Sequence, residues 1–364
     1  MDERITVIGA GGTGLAAAAD LTLAGHRVTL YEEPEFEKNL RVVADRGGIT
    51  LTGAGRTGRA KVDRVTTDIR EALDGSKVVL VAVVASRHRQ IGRLCAPFLQ
   101  DGQVVVFSPG NAGSLVLAGI LRDAKHSPQV KIAELEGNLY PSRVTGEAEA
   151  IIGMPFKSKY ISAFPARDTR EVIATLSPFY AMQPAANVIE AALNSPNVVI
   201  HLAASLLNLS AVEQSGGSFY LYKTGLTSSV LRCVEAMQEE KLRVFNALGY
   251  NERSPLDHLK KVAKTKEFPE FDLFRGLIGP TSATHRYITE DASTGVSLMI
   301  SLAEMLGVPV PTAKALVSLA SAINQVDYFG EGRTLKNLGM AHLTPDQLNR
   351  FLVEGEMPPN TRTG

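Results

Sequence analysis

The run RITVIGAGGTGLAAAADLTLAG at 4–25 constrains the fold most. A short apolar stretch ends on glycine, a glycine-rich turn follows, and a helix-forming segment closes on Gly25, the residue type that commonly ends helices. Gly9, Gly11 and Gly14 have G-x-G-x-x-G spacing. The first allows the tight turn off a strand, the second lets backbone approach a pyrophosphate, and the third lets the helix pack on the strand. The helix, starting at Gly12 and Thr13, aims free N–H groups and its positive dipole end at an anion.

Further strands follow at RVTLYE (27–32), KVVLVAVV (77–84), QVVVFS (103–108) and VKIAEL (130–135). Continuous apolar runs of this kind are strands covered on both faces. SRHRQIGRLCAPFLQ (86–100) is a plausible crossover helix, so the first half reads as an α/β, Rossmann-type doubly wound sheet. AIIGMP (150–155) and KYISAFPA (159–166) are expected to extend that sheet. Ligands bind at the carboxyl ends of such strands. The loop with Val84, and the loop SPGNAG with Ser108, Pro109 and Gly110, are therefore expected to flank a nicotinamide. Plain turn chemistry explains the second loop equally well. Glu32 ends the second strand, roughly 20 residues beyond the glycines, where a carboxylate accepts the ribose hydroxyls of NAD and repels the 2′-phosphate of NADP. The expectation is NAD(H) over NADP(H), with Glu33 an alternative carboxylate and Lys38 and Arg41 nearby.

From about residue 170 helical patterns follow one another, at 170–180, 196–214, 227–248, 255–266, 294–306, 312–325 and 345–354. The expected division is a dinucleotide-binding domain at 1–185, an all-α domain at 186–355 and a loose tail at 356–364. In SPNVVIHLAASLLNL (195–209), Ser195 and Pro196 suit the cap and first turn of an apolar helix. At about 100° per residue, Asn197, His201, Ser205 and Asn208 fall on one narrow polar stripe. Such a stripe needs polar company, from a cleft, a network or a ligand. His201 is either a satisfied core histidine or a proton carrier suited to neutral pH. A carboxylate would fix its tautomer. Glu290 and Asp291 are candidates, although acids just before a helix also serve as caps.

Lys plus Arg and Asp plus Glu are equal at 38 each, and no basic face suggests nucleic acid. Cys95 and Cys233 lack metal-ligand partners at a useful spacing, so no metal is expected. The acidic N-terminus is no signal peptide, and VVLVAVVA (78–85) is too short to span a bilayer. A cytoplasmic protein without membrane partners is expected, with a homodimer plausible.

Taken together, VIGAGGTG, SPG, NSPNVVIH, RYITEDASTG, LGVPVPT and EGRTLKNLG resemble the opine dehydrogenases, the octopine/nopaline dehydrogenase family. The likeness runs nearly end to end and is greatest to the bacterial N-(1-D-carboxyethyl)-L-norvaline dehydrogenase type. It implies a Rossmann domain followed by a helical domain. It also implies a reductive condensation: an α-keto acid and the amino group of an amino acid form an imine, which NAD(P)H reduces. By the resemblance His201 is the catalytic histidine, Asp291 its paired aspartate, and Asn197 a substrate contact. Two substrate carboxylates need cations, for which Arg143 and Arg333 are candidates. The rivals are a ketopantoate- or hydroxyacid-type reductase needing no amine, and a dinucleotide-binding protein without turnover.

Overall fold

The computed structural model describes residues 4–124, 128–253, 256–264 and 266–357. The expected tail lies, from residue 358 on, outside the described residues. The chain divides into two compact units, Met1–Ala191 and Ala192–Gly364.

Among the described residues the first unit holds twelve strands: β1 (Arg4–Ile8), β2 (Arg27–Tyr31), β3 (Ile49–Gly53), β4 (Gly58–Ala60), β5 (Arg64–Thr66), β6 (Ser76–Val81), β7 (Val104–Phe107), β8 (Lys131–Leu135), β9 (Ser142–Gly146), β10 (Glu149–Ile152), β11 (Lys159–Phe164) and β12 (Met182–Pro184). Eight form one sheet in the order β12-β11-β8-β7-β6-β1-β2-β5. Its pairs are parallel except β8 with β11. The apolar runs have a physical reason. Along β6, Val78 and Leu80 enter one buried cluster while Val79 and Val81 enter the other, so both faces are covered.

One expectation about the sheet needs correction. The run at 150–155 does not extend this sheet; β10 belongs to a second sheet of order β4-β3-β10-β9. The run at 159–166 does extend the first sheet, but β11 lies antiparallel to β8. The crossover helix is also shorter than its pattern, His88–Cys95.

In the second unit the described residues contain helices and a single isolated bridge, Tyr220 to Gly279. The helices that matter for the site are Asn197–Leu206, Ser228–Leu248, Arg286–Asp291 and Ser297–Leu306. Asn197–Leu206 is buried from Val198 to Leu206 and packs on Ser228–Leu248 and Arg286–Asp291. The segment read as one helix over 196–214 is two, broken after Leu206 and resuming at Leu209. Ser195 and Pro196 do not cap by side chain. A helix over Val188–Asn194 runs almost into the next, Pro196 has helical backbone angles, and the Ser195 hydroxyl is buried without a hydrogen-bond partner.

Candidate active site

The polar stripe points inward. His201 is 4% exposed and Ser205 fully buried, while Asn197 and Asn208 are half-buried. His201 Nδ1 lies 2.9 Å from Asp291 Oδ2, and Nε2 lies 2.9 Å from the Tyr222 hydroxyl. A carboxylate only accepts, so Nδ1–H donates to Asp291 and Nε2 accepts from the Tyr222 O–H. The Tyr287 ring stacks on the imidazole, centroids 3.6 Å apart. Burial holds the Asp291 carboxyl well above the usual carboxylate range, and the Arg286 charge works against that shift. Arg286 itself bonds Glu290 across 3.2 Å, one turn along the helix.

The capping reading of Glu290 and Asp291 does not hold. Both stand in the last turn of Arg286–Asp291, and His285 caps that helix by accepting from the Tyr287 N–H at 3.2 Å. A wide turn, Ala292–Val296, then carries the chain into Ser297–Leu306. Ser293 and Thr294 hydroxyls donate back to the Thr289 and Glu290 carbonyls, both at 2.7 Å, and so satisfy the loosened backbone. Arg333 docks on this turn. Its N–H donates to Ser293 O at 2.6 Å, and Asn337 steadies the segment through the carbonyls of Gly330 and Gly332.

In the first unit the glycine turn follows its spacing. Gly9 has φ +104°, and a methyl at Gly14 would run into the Gly9 carbonyl oxygen. A methyl at Gly11 would meet nothing within 4 Å, and the first turn of the helix Gly12–Leu23 carries no acid. Room and polarity therefore fit a diphosphate. Thr13 lies 3.4 Å from the Asn138 side-chain oxygen. Arg143 comes to this turn too. A methyl on Gly12 would sit 3.3 Å from the Arg143 Cα, and the Arg143 guanidinium bonds Ser142 O at 2.9 Å.

Glu32 accepts from the Ala10 N–H at 2.8 Å and the Glu33 N–H at 2.9 Å, so it braces the turn as well as facing it. Burial raises its carboxyl above the ordinary range. Glu33 is engaged elsewhere. It binds Arg87 at 2.6 Å and Gln90 at 2.7 Å, and Arg87 also pairs with Glu35. Val84 is exposed just beyond β6. Ser108, joined to Pro109 by a cis peptide, accepts from the Leu139 N–H at 2.8 Å. Gly110 leaves no room for a side chain, since a methyl would lie 2.5 Å from Leu135 O and 2.8 Å from Glu134 Oε1.

Several of these partners were passed over in the sequence. Glu134 is fully buried and holds the N–H groups of Ala112 and Ser114 at 2.8 and 3.0 Å. Asn111 and Ala112 have φ of +48° and +60°, a strained pair for residues other than glycine, and Glu134 anchors it. A lone acid inside the apolar run VKIAEL was the available signal. Arg87 and Arg286 carry no such signal. Tyr287 looks like an ordinary core residue in sequence, whereas Tyr222, with Tyr220 and Lys223, lies in QSGGSFYLYKTGLTSS (214–229), a candidate lining for the amino-acid pocket for which a core role is the favoured reading.

The helical region at 184–324 matches the model of the NAD/NADP octopine/nopaline dehydrogenase α-helical domain. A solved octopine dehydrogenase with NADH and pyruvate superposes with a TM-score of 0.72 at 19% identity, covering 97% of this chain and 98% of that one. A ketopantoate reductase from Ralstonia eutropha JMP134 superposes with a TM-score of 0.63 at 18% identity, over 88% of this chain and 98% of the other, a likeness of fold. An opine dehydrogenase from Arthrobacter sp. (strain 1C) is 30% identical over 352 residues, 94% of this chain and 96% of its own. Identity at that level along almost the whole of both sequences goes beyond a shared fold, and the chain belongs to the opine dehydrogenase family.

Proposed function

We propose that the family's reductive condensation runs in this protein on His201 and Asp291, with NAD(H) preferred over NADP(H). The enzyme joins an α-keto acid to the amino group of an amino acid and reduces the resulting imine with NAD(P)H. The observation that carries the residue assignment is the buried His201, fixed by Asp291 on one nitrogen with the other turned to a hydroxyl. Gly9, Gly11, Gly12, Thr13, Gly14 and Glu32 would hold a nicotinamide cofactor, with Val84, Ser108, Pro109 and Gly110 beside its reactive end, and the bound group would supply the hydride that reduces the imine.

His201 moves protons. Condensation needs a proton taken from the attacking amine and a proton given to the oxygen that leaves as water. One imidazole does both when an acid stabilises its charged form. Asp291 is that acid, and Tyr287 keeps the ring in plane. Arg286, partly exposed beside Asp291, and Arg333, docked on the following turn, supply guanidinium for substrate carboxylates. Asn197, one turn before His201, offers an amide to substrate. Arg143 stands at the glycine turn, where its charge suits a diphosphate as well as a carboxylate.

The NAD preference rests on charge. Glu32 faces the turn, and Arg87, the cation that would welcome a 2′-phosphate, is neutralised by Glu33 and Glu35. Among subtypes, the sequence motifs favour the N-(1-D-carboxyethyl)-L-norvaline type.

The test is NADH oxidation with a panel of α-keto acids, each with and without amino acids. Consumption that requires both supports the proposal. Consumption with a keto acid alone would instead make the protein a hydroxyacid- or ketopantoate-type reductase.

A further inference from the structure

Both nitrogens of His201 are engaged, so its proton needs an outlet. The hydrogen bonds form a chain of three buried residues, Asp291 to His201 to Tyr222, that ends at the phenol. We propose that Tyr222 is the terminal member of an Asp291–His201–Tyr222 proton relay, and that its phenolic oxygen, rather than the imidazole, exchanges the proton with substrate. The proposal rests on the reading of His201 as the proton carrier.

The phenol is a positioned group. Tyr222 sits on the wide turn Leu221–Gly225, and Asn208 Nδ2 donates to Gly225 O at 3.0 Å and to Ala204 O at 2.8 Å. Asn208 is the last member of the polar stripe, so the stripe that carries His201 also clips the Tyr222 turn to its own helix. The turn packs closely at Gly225, where a methyl would lie 2.9 Å from a Leu221 methyl and 3.2 Å from the Asn208 nitrogen. The Phe274 ring backs the phenol at 4.3 Å. The charged and titratable groups around the ring pair include Asp291, Glu290, Arg286 and Tyr287 on one helix, His285 at its cap with its ring 4.7 Å from that of Tyr287, and Lys223, next to Tyr222 on the wide turn.

The step balances. His201 starts protonated on both nitrogens. The Tyr222 O–H bond breaks as its proton goes to the carbinolamine oxygen, whose bond to carbon breaks to release water. In the same event Nε2–H passes its proton to the phenol oxygen. Tyr222 ends neutral, and one proton has moved from His201 to water without any oxidant or reductant. The reverse movement takes the proton from the attacking amine.

The experiment compares Tyr222→Phe and His201→Asn in the full chain, using the keto acid and amino acid pair that oxidises NADH fastest. The relay predicts that Tyr222→Phe lowers kcat by ~10²-fold with KM little changed, and that the pH–rate profile loses its wild-type shape. Unchanged melting and NADH binding in the variant would exclude misfolding. A second variant, Tyr222→3-fluorotyrosine, keeps the ring and acidifies the hydroxyl. A shifted limb of its pH–rate profile supports the relay, and an unshifted one overturns it. If His201→Asn is inactive while Tyr222→Phe keeps wild-type kcat and profile, the relay falls and the His201 assignment stands. If both variants turn over normally, or the unaltered enzyme accepts no pair, the parent reading falls and the relay with it.

Discussion

The ring of Tyr287 lies almost flat on the imidazole of His201, 18° from parallel, with the Arg286 guanidinium 5.4 Å from the ring centre of Tyr287. The stacked ring leaves His201 little freedom to tilt. Replacing Tyr287 by Leu removes the face but keeps bulk. Thermal unfolding should show a loss of about 1 kcal/mol, the usual worth of an aromatic pair. Turnover should fall while NADH binding persists. Unaltered kcat would mean that Asp291 and Tyr222 hold the ring unaided.

The Asp291 carboxyl gives a pH prediction with a defined sign. Its folded-state value is raised by burial. The stability attached to it is therefore full below the unfolded value of about 3.9, and is lost as pH rises through the folded value. Asp291→Asn cannot ionise. The Tm of the variant relative to wild type should improve between about pH 4 and pH 7, even as kcat drops by ~10²-fold or more. A Tm difference that stays constant over that range would show that the His201 N–H keeps the carboxylate ionised throughout.

Cofactor choice should respond to the acids around Arg87. Glu33→Gln combined with Glu35→Gln frees the guanidinium, and kcat/KM for NADPH relative to NADH should rise by ~10-fold, the scale of one close charge interaction screened by water. Glu32→Ala should narrow the preference too, and also loosen the turn, because the Ala10 N–H loses its acceptor. No change in either variant would assign the ribose to another residue.

The SPG loop should be sensitive to its support. Gly110→Ala forces a methyl against Leu135 O and Glu134, at a cost of about 1–3 kcal/mol. Glu134→Ala removes the acceptor of two buried N–H groups. Both variants should bind NADH more weakly in a fluorescence titration, and tight binding in both would detach this loop from the cofactor.

Cys95 ends the helix His88–Cys95 and packs in the buried cluster beside the sheet, where burial pushes its thiol up to about 12. Iodoacetamide at neutral pH should leave it unmodified in the native protein and label it only on unfolding, as read by mass spectrometry. The half-buried Cys233 should react first. Rapid native labelling of Cys95 would mean that the sheet opens locally.

Much of this was legible in the sequence because it depends on local pattern. The glycine spacing and the apolar runs each follow from short-range rules; the change to helical periodicity near residue 170 comes early, since β12 at Met182–Pro184 still joins the large sheet. The small sheet was not legible. β4 is three residues long, and β10 finds its partner β3 far back in the chain, which no window of sequence reveals. The polar stripe announced His201, but its direction was hidden, since only tertiary packing turns it inward. Glu290 and Asp291 looked like caps because a helix starts soon after them. The actual cap, His285, lies one helix earlier, and the wide turn joining the two helices leaves no clear mark in composition.

The pairing of β3 with β10 has a consequence for the growing chain. The wall that closes on Gly12, at Ser142 and Arg143, belongs to β9, which is held in place by β10 and, through it, by β3. During synthesis the glycine turn emerges among the first residues, yet its flank arrives only when the chain has been extended through residue 152. A nascent polypeptide halted after β8 would have the turn without its wall. Nucleotide can thus assist maturation of the first unit only late, after both arms of the small sheet have left the ribosome.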